Sequence, residues 1–302
     1  MSMDRNADVV VGVDGSSAAD AAALWAADET ALRPGSSLEL LFAFQIPIVG
    51  HPEYEYPPEF ADAIRAAGNH ALDRVASEVT ERYPDLPLQR ILTESDARLA
   101  LVKQSAQARL TVVGSRGKGR LAEVLLGSVA FHVAAHGHSP VAVVPEAAHR
   151  TDGPILVGVD GSKTSDAALG FAFDQAAERG TEVVALLGWD GLGHQPTARR
   201  PAISGMAGAS SEVNALLADR CAPWIEKFPD VVCRHVVHQG RPAEGLIGYA
   251  ERAAQQPQLI VVGSRGRGGL SGLILGSTGH TLITHSRWPV VVVRSATTSQ
   301  GL

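Results

Sequence analysis

Cysteine is nearly absent from this chain: its 302 residues include only Cys221 and Cys233. Two thiols are too few for a disulfide framework and suit a reducing cytosol, so both read as small buried hydrophobes. No apolar run approaches the roughly 20 residues that span a bilayer. The first ten residues, MSMDRNADVV, lack the apolar core of a secretion signal. The expectation is a cytoplasmic protein without membrane attachment. Basic residues are also in deficit, with a formal net charge of −6, which excludes a general affinity for nucleic acid. Hydrophobic residues make up 45% and charged residues 19%, outside the disordered and collagen-like ranges.

The sequence does contain a long internal repeat. VVVGVDGSSAAD at 9–20 returns as ILVGVDGSKTSD at 155–166, so that Gly12 reappears as Gly158, 146 residues on. VVGSRGKGRLAEVLLGS at 112–128 returns as VVGSRGRGGLSGLILGS at 261–277, with Gly114 reappearing 149 residues on as Gly263. The halves therefore differ by a net three residues between these elements. At about 150 residues per domain, the length agrees with two copies of one domain. We place them at 1–147 and 153–297, joined near EAAHRTDG.

Each half alternates short β-branched runs with longer helical patterns, the signature of a parallel sheet covered by helices. Strands are expected at 8–13, 38–44, 87–92, 109–113 and 140–145, and again near 154–159, 182–188, 231–237, 258–262 and 289–294. Ser16 or Ser17 caps the first helix, and residues 60–83 form a long amphipathic one. DGLGHQPTARRPAISGMAGASS at 190–211 reads as a long surface connection, with a mobile lid as the other option.

The glycines follow one rule in both halves: Gly114-x2-Gly117-x9-Gly127-Ser128 and Gly263-x2-Gly266-x9-Gly276-Ser277. A loop that follows a parallel strand lies at the carboxyl edge of the sheet, where open α/β folds bind ligands. Glycine lets backbone N–H groups approach an anion, and the next helix N-terminus adds partial positive charge. Arg116, Lys118 and Arg120, with Arg265 and Arg267, bring local positive charge to an acidic chain, so a polyphosphate fits. The Walker pattern G-x4-G-K-[ST] is missing, and so is the dinucleotide fingerprint, since Gly266-x-Gly268 is followed by Ser271.

A nucleotide also needs groups for its ribose and base. VGVDGS sets Asp14 and Asp160 at the end of the first strand, where a carboxylate can accept from a hydroxyl or amino group. The backbone of Val13 and Val159 stands beside the base edge. Alone, Asp-Gly-Ser is equally a strand-end turn and helix cap.

VGVDGS, then VVGSRG-x9-GS-[VT], then PVxVV, all in tandem, resembles the universal stress protein family, specifically its two-domain ATP-binding branch. The resemblance spans nearly the whole chain. It implies two open Rossmann-like α/β domains of five parallel strands each, in the order 3-2-1-4-5, and two ATP molecules per chain with Mg2+ on the phosphates. Carried over residue by residue, it implies contacts from Val13, Asp14, Val113, Gly114, Gly117, Gly127, Ser128 and Val129, with Ala43 at the base. In the second half it implies Val159, Asp160, Val262, Gly263, Gly266, Gly276, Ser277 and Thr278, with Gly188 at the base. Many family members have a glycine in the third strand-to-helix connection, as in HQGRPAEGLI at 238–247. The first half has LTESDARLAL there instead.

Catalysis would need a placed base and usually a metal held by carboxylates near the phosphates. Glu123 has only Gly272 as its counterpart, and His136 and His138 read as a strand-entry turn. The expectation is a protein without catalytic residues or metal ligands of its own, acting as a nucleotide-responsive regulator of stress or growth responses. A slow ATPase or phosphotransfer enzyme is the alternative. The strands SPVAVVP at 139–145 and WPVVVVR at 288–294 are sheet edges in the order 3-2-1-4-5, and their valines predict edge pairing of the two domains and a homodimer.

Overall fold

Runs such as LTVVG and VAVV are rich in β-branched residues and buried along their length, as strands covered by helices on both faces must be. The computed structural model describes residues 8–46, 58–117, 126–148, 152–189, 206–266 and 274–295. The chain divides into two units, Met1–Ala148 and His149–Leu302.

In the first unit the elements run β1 (Val9–Gly12), α1 (Ser17–Ala31), β2 (Leu38–Phe44), α2 (Pro58–Arg82), β3 (Leu88–Glu94), α3 (Ala97–Ser105), β4 (Leu110–Gly114), α4 (Ser128–His136) and β5 (Val141–Val144). All strand pairs are parallel, and the order is β3-β2-β1-β4-β5. Val9 pairs with both Leu38 and Leu110, and all three are fully buried, each contributing roughly 1.5–3 kcal/mol by leaving water. Helix α1 owes its close seat to small side chains, since Ala18, Ala19, Ala22, Ala23, Ala26 and Ala27 are all buried. A Cβ on Gly114 would stand 2.7 Å from the carbonyl carbon of Ala18, so this glycine sets the helix-to-strand distance. Arg74 of α2 grips Asp20 of α1 through two hydrogen bonds of 2.7 and 2.9 Å.

The second unit repeats the plan: β6 (Ile155–Val159), α5 (Lys163–Arg179), β7 (Val183–Trp189), α6 (Met206–Lys227), β8 (Cys233–Gln239), α7 (Pro242–Arg252), β9 (Leu259–Gly263), α8 (Ser277–His285) and β10 (Val290–Val293). Its parallel pairs give the order β8-β7-β6-β9-β10. Here Arg220 of α6 reaches Asp166 of α5 at 3.3 Å. The open α/β sheets and their strand order match the expectation, and each strand falls within about two residues of its expected bounds.

One expectation needs correction. The stretch 190–211 is not a loop throughout, because α6 starts at Met206. The segment from Met206 to Arg220 is rich in alanine and leucine, whose helix propensity outweighs the single Gly208. Residues 190–205 lie outside the described residues. The net three extra residues of the second half combine four more between β8 and β9 with one fewer between β6 and β7. Strands β8 and β9 start 26 residues apart, Cys233 to Leu259, against 22 from Leu88 to Leu110, while β6 and β7 start 28 apart, Ile155 to Val183, against 29 from Val9 to Leu38. Part of the β8-to-β9 excess lengthens α7 to 11 residues, where α3 has 9. Among the described residues no helix is long and apolar enough to cross a membrane.

The strand order has one consequence for function. In each unit the first and fourth strands lie side by side while their following helices leave in opposite directions. This opens a crevice at their carboxyl ends.

Candidate functional site

The crevice of the first unit begins where β1 stops. Val13 donates its N–H to the Leu41 carbonyl at 2.8 Å, so that N–H is not available to a base. The chain then turns at Gly15, which takes φ 76°, a left-handed conformation suited to glycine. Asp14 secures the turn by accepting the Ser16 N–H on Oδ1 at 2.9 Å, and Ser16 in turn caps α1 by accepting the Ala19 N–H at 3.2 Å. The turn-and-cap reading of Asp-Gly-Ser is thus realised. One carboxylate oxygen builds the turn, and the other, Oδ2, faces the glycine loop across the crevice.

On the far side, β4 ends at Gly114 and the next N–H, that of Ser115, donates to the Val144 carbonyl at 2.8 Å. The Ser115 carbonyl accepts from the Gly127 N–H at 2.8 Å, which closes the loop on itself. A Cβ on Gly117 would lie 2.5 Å from Asp14 Oδ2. Gly127 is the N-cap of α4, and no side chain caps the helix there. Among the described residues no N-cap side chain accepts from the first turn of α4, the arrangement that makes a helix N-terminus attractive to an anion.

These elements enclose a cavity of about 460 Å³. Val13, Asp14, Ala43, Val113, Gly114, Gly117, Gly127, Ser128 and Val129 all line it, so the structure brings together the nine first-half residues that the resemblance implied as contacts. Its floor also includes Leu41, Ala97 and Leu101, which the sequence did not single out because nothing distinguishes them from other core residues. Arg116 stands at the rim and is exposed. An adjoining hollow of about 430 Å³ shares Ala43, Ala97, Ser128 and Val129 and extends to Gln45, Asp96 and Arg98. Asp96 caps α3 by accepting the Arg98 N–H at 2.8 Å and pairs with the Arg98 guanidinium at 2.6 Å. The Arg98 hydrogen bond holds the Asp96 carboxyl down at about 2, so this rim keeps both charges at neutral pH. Here the polar Ser-Asp-Ala-Arg connection replaces the glycine turn of the second half.

The second unit repeats the turn and loop relations. Gly161 takes φ 74°, and Asp160 Oδ1 accepts the Ser162 N–H at 2.9 Å. A Cβ on Gly266 would meet Asp160 Oδ2 at 2.5 Å. Gly276 donates to the Ser264 carbonyl at 2.8 Å and caps α8 without a side-chain hydrogen bond. Val159 and Val262 are buried at the strand ends, Gly263 backs onto Thr164 as Gly114 backs onto Ala18, and Ser277 and Thr278 open α8. Gly188 is accounted for differently. A Cβ there would lie 2.7 Å from Cα of Pro242 at the start of α7, so helix packing alone requires the glycine.

A further difference separates the units. In the second, Thr164 Oγ1 donates to the Arg265 carbonyl, and Ser162 Oγ reaches the same oxygen at 3.3 Å. The first unit has Ala18 in place of Thr164 and lacks that hydroxyl. Lys118, Arg120, Glu123, Arg267 and Gly272 lie outside the described residues. His136 stacks on His132, with ring centroids 4.1 Å apart, while His138 donates its backbone N–H to Ser105 Oγ, so this pair serves the strand entry.

Comparison with known proteins agrees with this geometry. The pattern of the universal stress protein family matches residues 6–145 and 153–294. A universal stress protein of Mycolicibacterium smegmatis is 35% identical over 292 residues, covering 95% of this chain and 96% of its own. One from Mycobacterium tuberculosis is 36% identical over 299 residues, covering 96% and 97%. Among solved structures, a universal stress protein from Archaeoglobus fulgidus superposes with a TM-score of 0.69 at 20% identity, over 95% of this chain and 96% of that one, a likeness of fold. Two matched segments, each holding one sheet and one glycine loop, establish that the chain belongs to the universal stress protein family.

Proposed function

We propose that each unit binds one ATP in its crevice, with Mg2+ on the phosphates, and that the protein is a nucleotide-responsive regulator of stress or growth responses. One observation carries the reading: across a cavity of about 460 Å³, the Asp14 carboxylate faces an uncapped helix N-terminus, with Gly117 between them. The carboxylate suits ribose hydroxyls, and the helix end and loop N–H groups suit phosphate. The apolar floor of Leu41, Val113 and Leu101 suits a planar base. The same set recurs around Asp160, Gly266 and α8, which supports two ligands per chain.

The chemistry of the donors supports holding more than reacting. When bound, Mg2+ would neutralise phosphate charge. The Asp14 and Asp160 carboxylates are each engaged by a backbone N–H through Oδ1, which fits an orienting role. We assign no catalytic residue, so a slow ATPase or phosphotransfer activity is the second reading.

Native mass spectrometry and calorimetry on protein stripped of nucleotide test the proposal. The expected result is two ATP per chain, with affinity falling on removal of Mg2+. A chain that binds neither ATP nor ADP overturns it. We further propose a homodimer; light scattering at the mass of a single chain would exclude this.

A further inference from the structure

We propose that Cys221, Cys233 and His235 form a site for a soft first-row metal ion, zinc above all, in the second unit. The three residues come from two elements and differ in exposure. Cys221 lies on α6 and is wholly buried, Cys233 opens β8 and is half-buried, and His235 follows on the same strand and is exposed. Strand alternation places Cys233 and His235 on one face, and α6, packed on β8, brings Cys221 to them. The two sulfur atoms and a ring nitrogen lie within 4.8 Å of one another. Tetrahedral zinc, with bonds of about 2.3 Å to sulfur and 2.0 Å to nitrogen, needs its ligand atoms about 3.5–3.8 Å apart. The closure required is at most about 1.3 Å, and rotation of the exposed imidazole can supply its share.

Packing alone accounts for Cys221, since a buried thiol is a good small hydrophobe. It does not account for a second thiol and an imidazole gathered around it. The first half builds the same helix-to-strand contact without any of them: Val75 occupies the helix position, next to Arg74 as Cys221 is next to Arg220, and Leu88 and Arg90 stand where Cys233 and His235 do. The repeated scaffold therefore does not demand this chemistry. Both cysteines are free thiols, so neither is committed to a disulfide. On binding, the two thiols release two protons, and two thiolates with one divalent ion make a neutral centre that suits a half-buried place. The neighbouring cation, Arg234, is already paired with Glu182 at 2.5 Å. Three protein ligands leave the fourth position to water on the exposed His235 side. Cys233 begins β8, whereas the glycine loop of this unit follows the carboxyl ends of the strands, so metal and nucleotide sites sit at opposite ends of one sheet.

Reduced full-length protein titrated with Co2+ tests the proposal. One equivalent should give a thiolate-to-cobalt charge-transfer band and intense tetrahedral d–d absorption, both lost when Zn2+ is added. His235→Ala touches only an exposed side chain and should weaken Co2+ at least about tenfold, since even outer-shell changes cost 10–100-fold. Cys233→Ser should cut the charge-transfer intensity by about half or more, since one of two thiolates is lost. Cys221→Val, which restores the first-half residue, checks the buried ligand with little risk to the fold. Absence of the band in the reduced wild-type chain overturns the site. So does equal Co2+ affinity in the wild type and a His235→Ala, Cys233→Ser double variant.

Discussion

Oδ2 of Asp14 stands 2.5 Å from the point a Cβ on Gly117 would occupy, while Oδ1 of the same carboxylate is held by the Ser16 N–H at 2.9 Å. Side chain and loop are thus mutually fitted: the carboxylate occupies the space that the glycine leaves. Gly117→Ala forces the carboxylate to swing away or the loop to withdraw, and both damage the crevice. We expect at least about a tenfold loss of ATP affinity in the first unit, and the same in the second for Gly266→Ala against Asp160. Because the obstructing group is a rim side chain, thermal unfolding should stay within about 2 °C of wild type, a shift worth less than ~1 kcal/mol. Calorimetry that finds two unchanged sites in the double variant would refute the loop assignment.

Gly114 should behave in the opposite way. Its Cβ would meet the backbone of Ala18, at 2.7 Å from both the carbonyl carbon and oxygen, and backbone in a packed helix cannot step aside cheaply. Gly114→Ala should cost roughly 1–3 kcal/mol of stability, the range for overpacking. Denaturant unfolding of the variant measures this directly, and an unchanged midpoint would contradict the packing account.

Glu39 supplies a pH test away from the site. It sits within β2 at 3% exposure, and its Oε2 accepts from Gln104 at 3.0 Å while Oε1 has no hydrogen-bond partner among the described residues. Burial raises its pKa, and the Gln104 hydrogen bond only partly opposes this. A raised value means that the folded state prefers the protonated acid. Its contribution is complete below the ordinary glutamate range and is lost as pH rises through the higher folded value. Glu39→Gln should therefore stabilise the protein at neutral pH by about 1 kcal/mol, or ~2–4 °C. The gap should close as the pH falls below the ordinary glutamate range. Melting curves across that range check both the sign and the trend.

Turnover should be slow. The carboxylates at the two crevices serve turns, and we assign no residue as a base. Steady-state ATP hydrolysis should fall far below the median enzyme rate of about 10 per second. A rate near that value, lost on a point change at either crevice, would favour the enzyme reading.

Much of this architecture was legible in the sequence because its signals are short-range and duplicated. Valine runs mark the buried strands, and Asp-Gly-Ser marks the strand-end turn. The 2- and 9-residue glycine spacings mark the loop, and two copies of each made coincidence improbable. What escaped depends on contacts between distant segments. Leu41 and Leu101 form part of the cavity floor but look like any core leucine until the sheet places them. The packing role of Gly188 is equally hidden, because Pro242, the neighbour that requires the glycine, lies 54 residues away in the chain. The start of α6 was hidden by composition, since glycine and serine before Met206 mask the alanine-rich helix behind them. Cys221 and Cys233 share no metal-binding spacing that would single them out.

The hydroxyl of Thr164 on the Arg265 carbonyl gives the two halves different tempers. A loop start with one more tie has less freedom left to surrender when a ligand arrives, so the same ligand should engage it at lower concentration than its counterpart without that hydroxyl. With nucleotide at both crevices, the chain would fill in sequence instead of all at once. Staggered thresholds stretch the interval over which occupancy changes. Gene duplication would then have given this protein a dial with two marked positions, where two identical copies would have had only one.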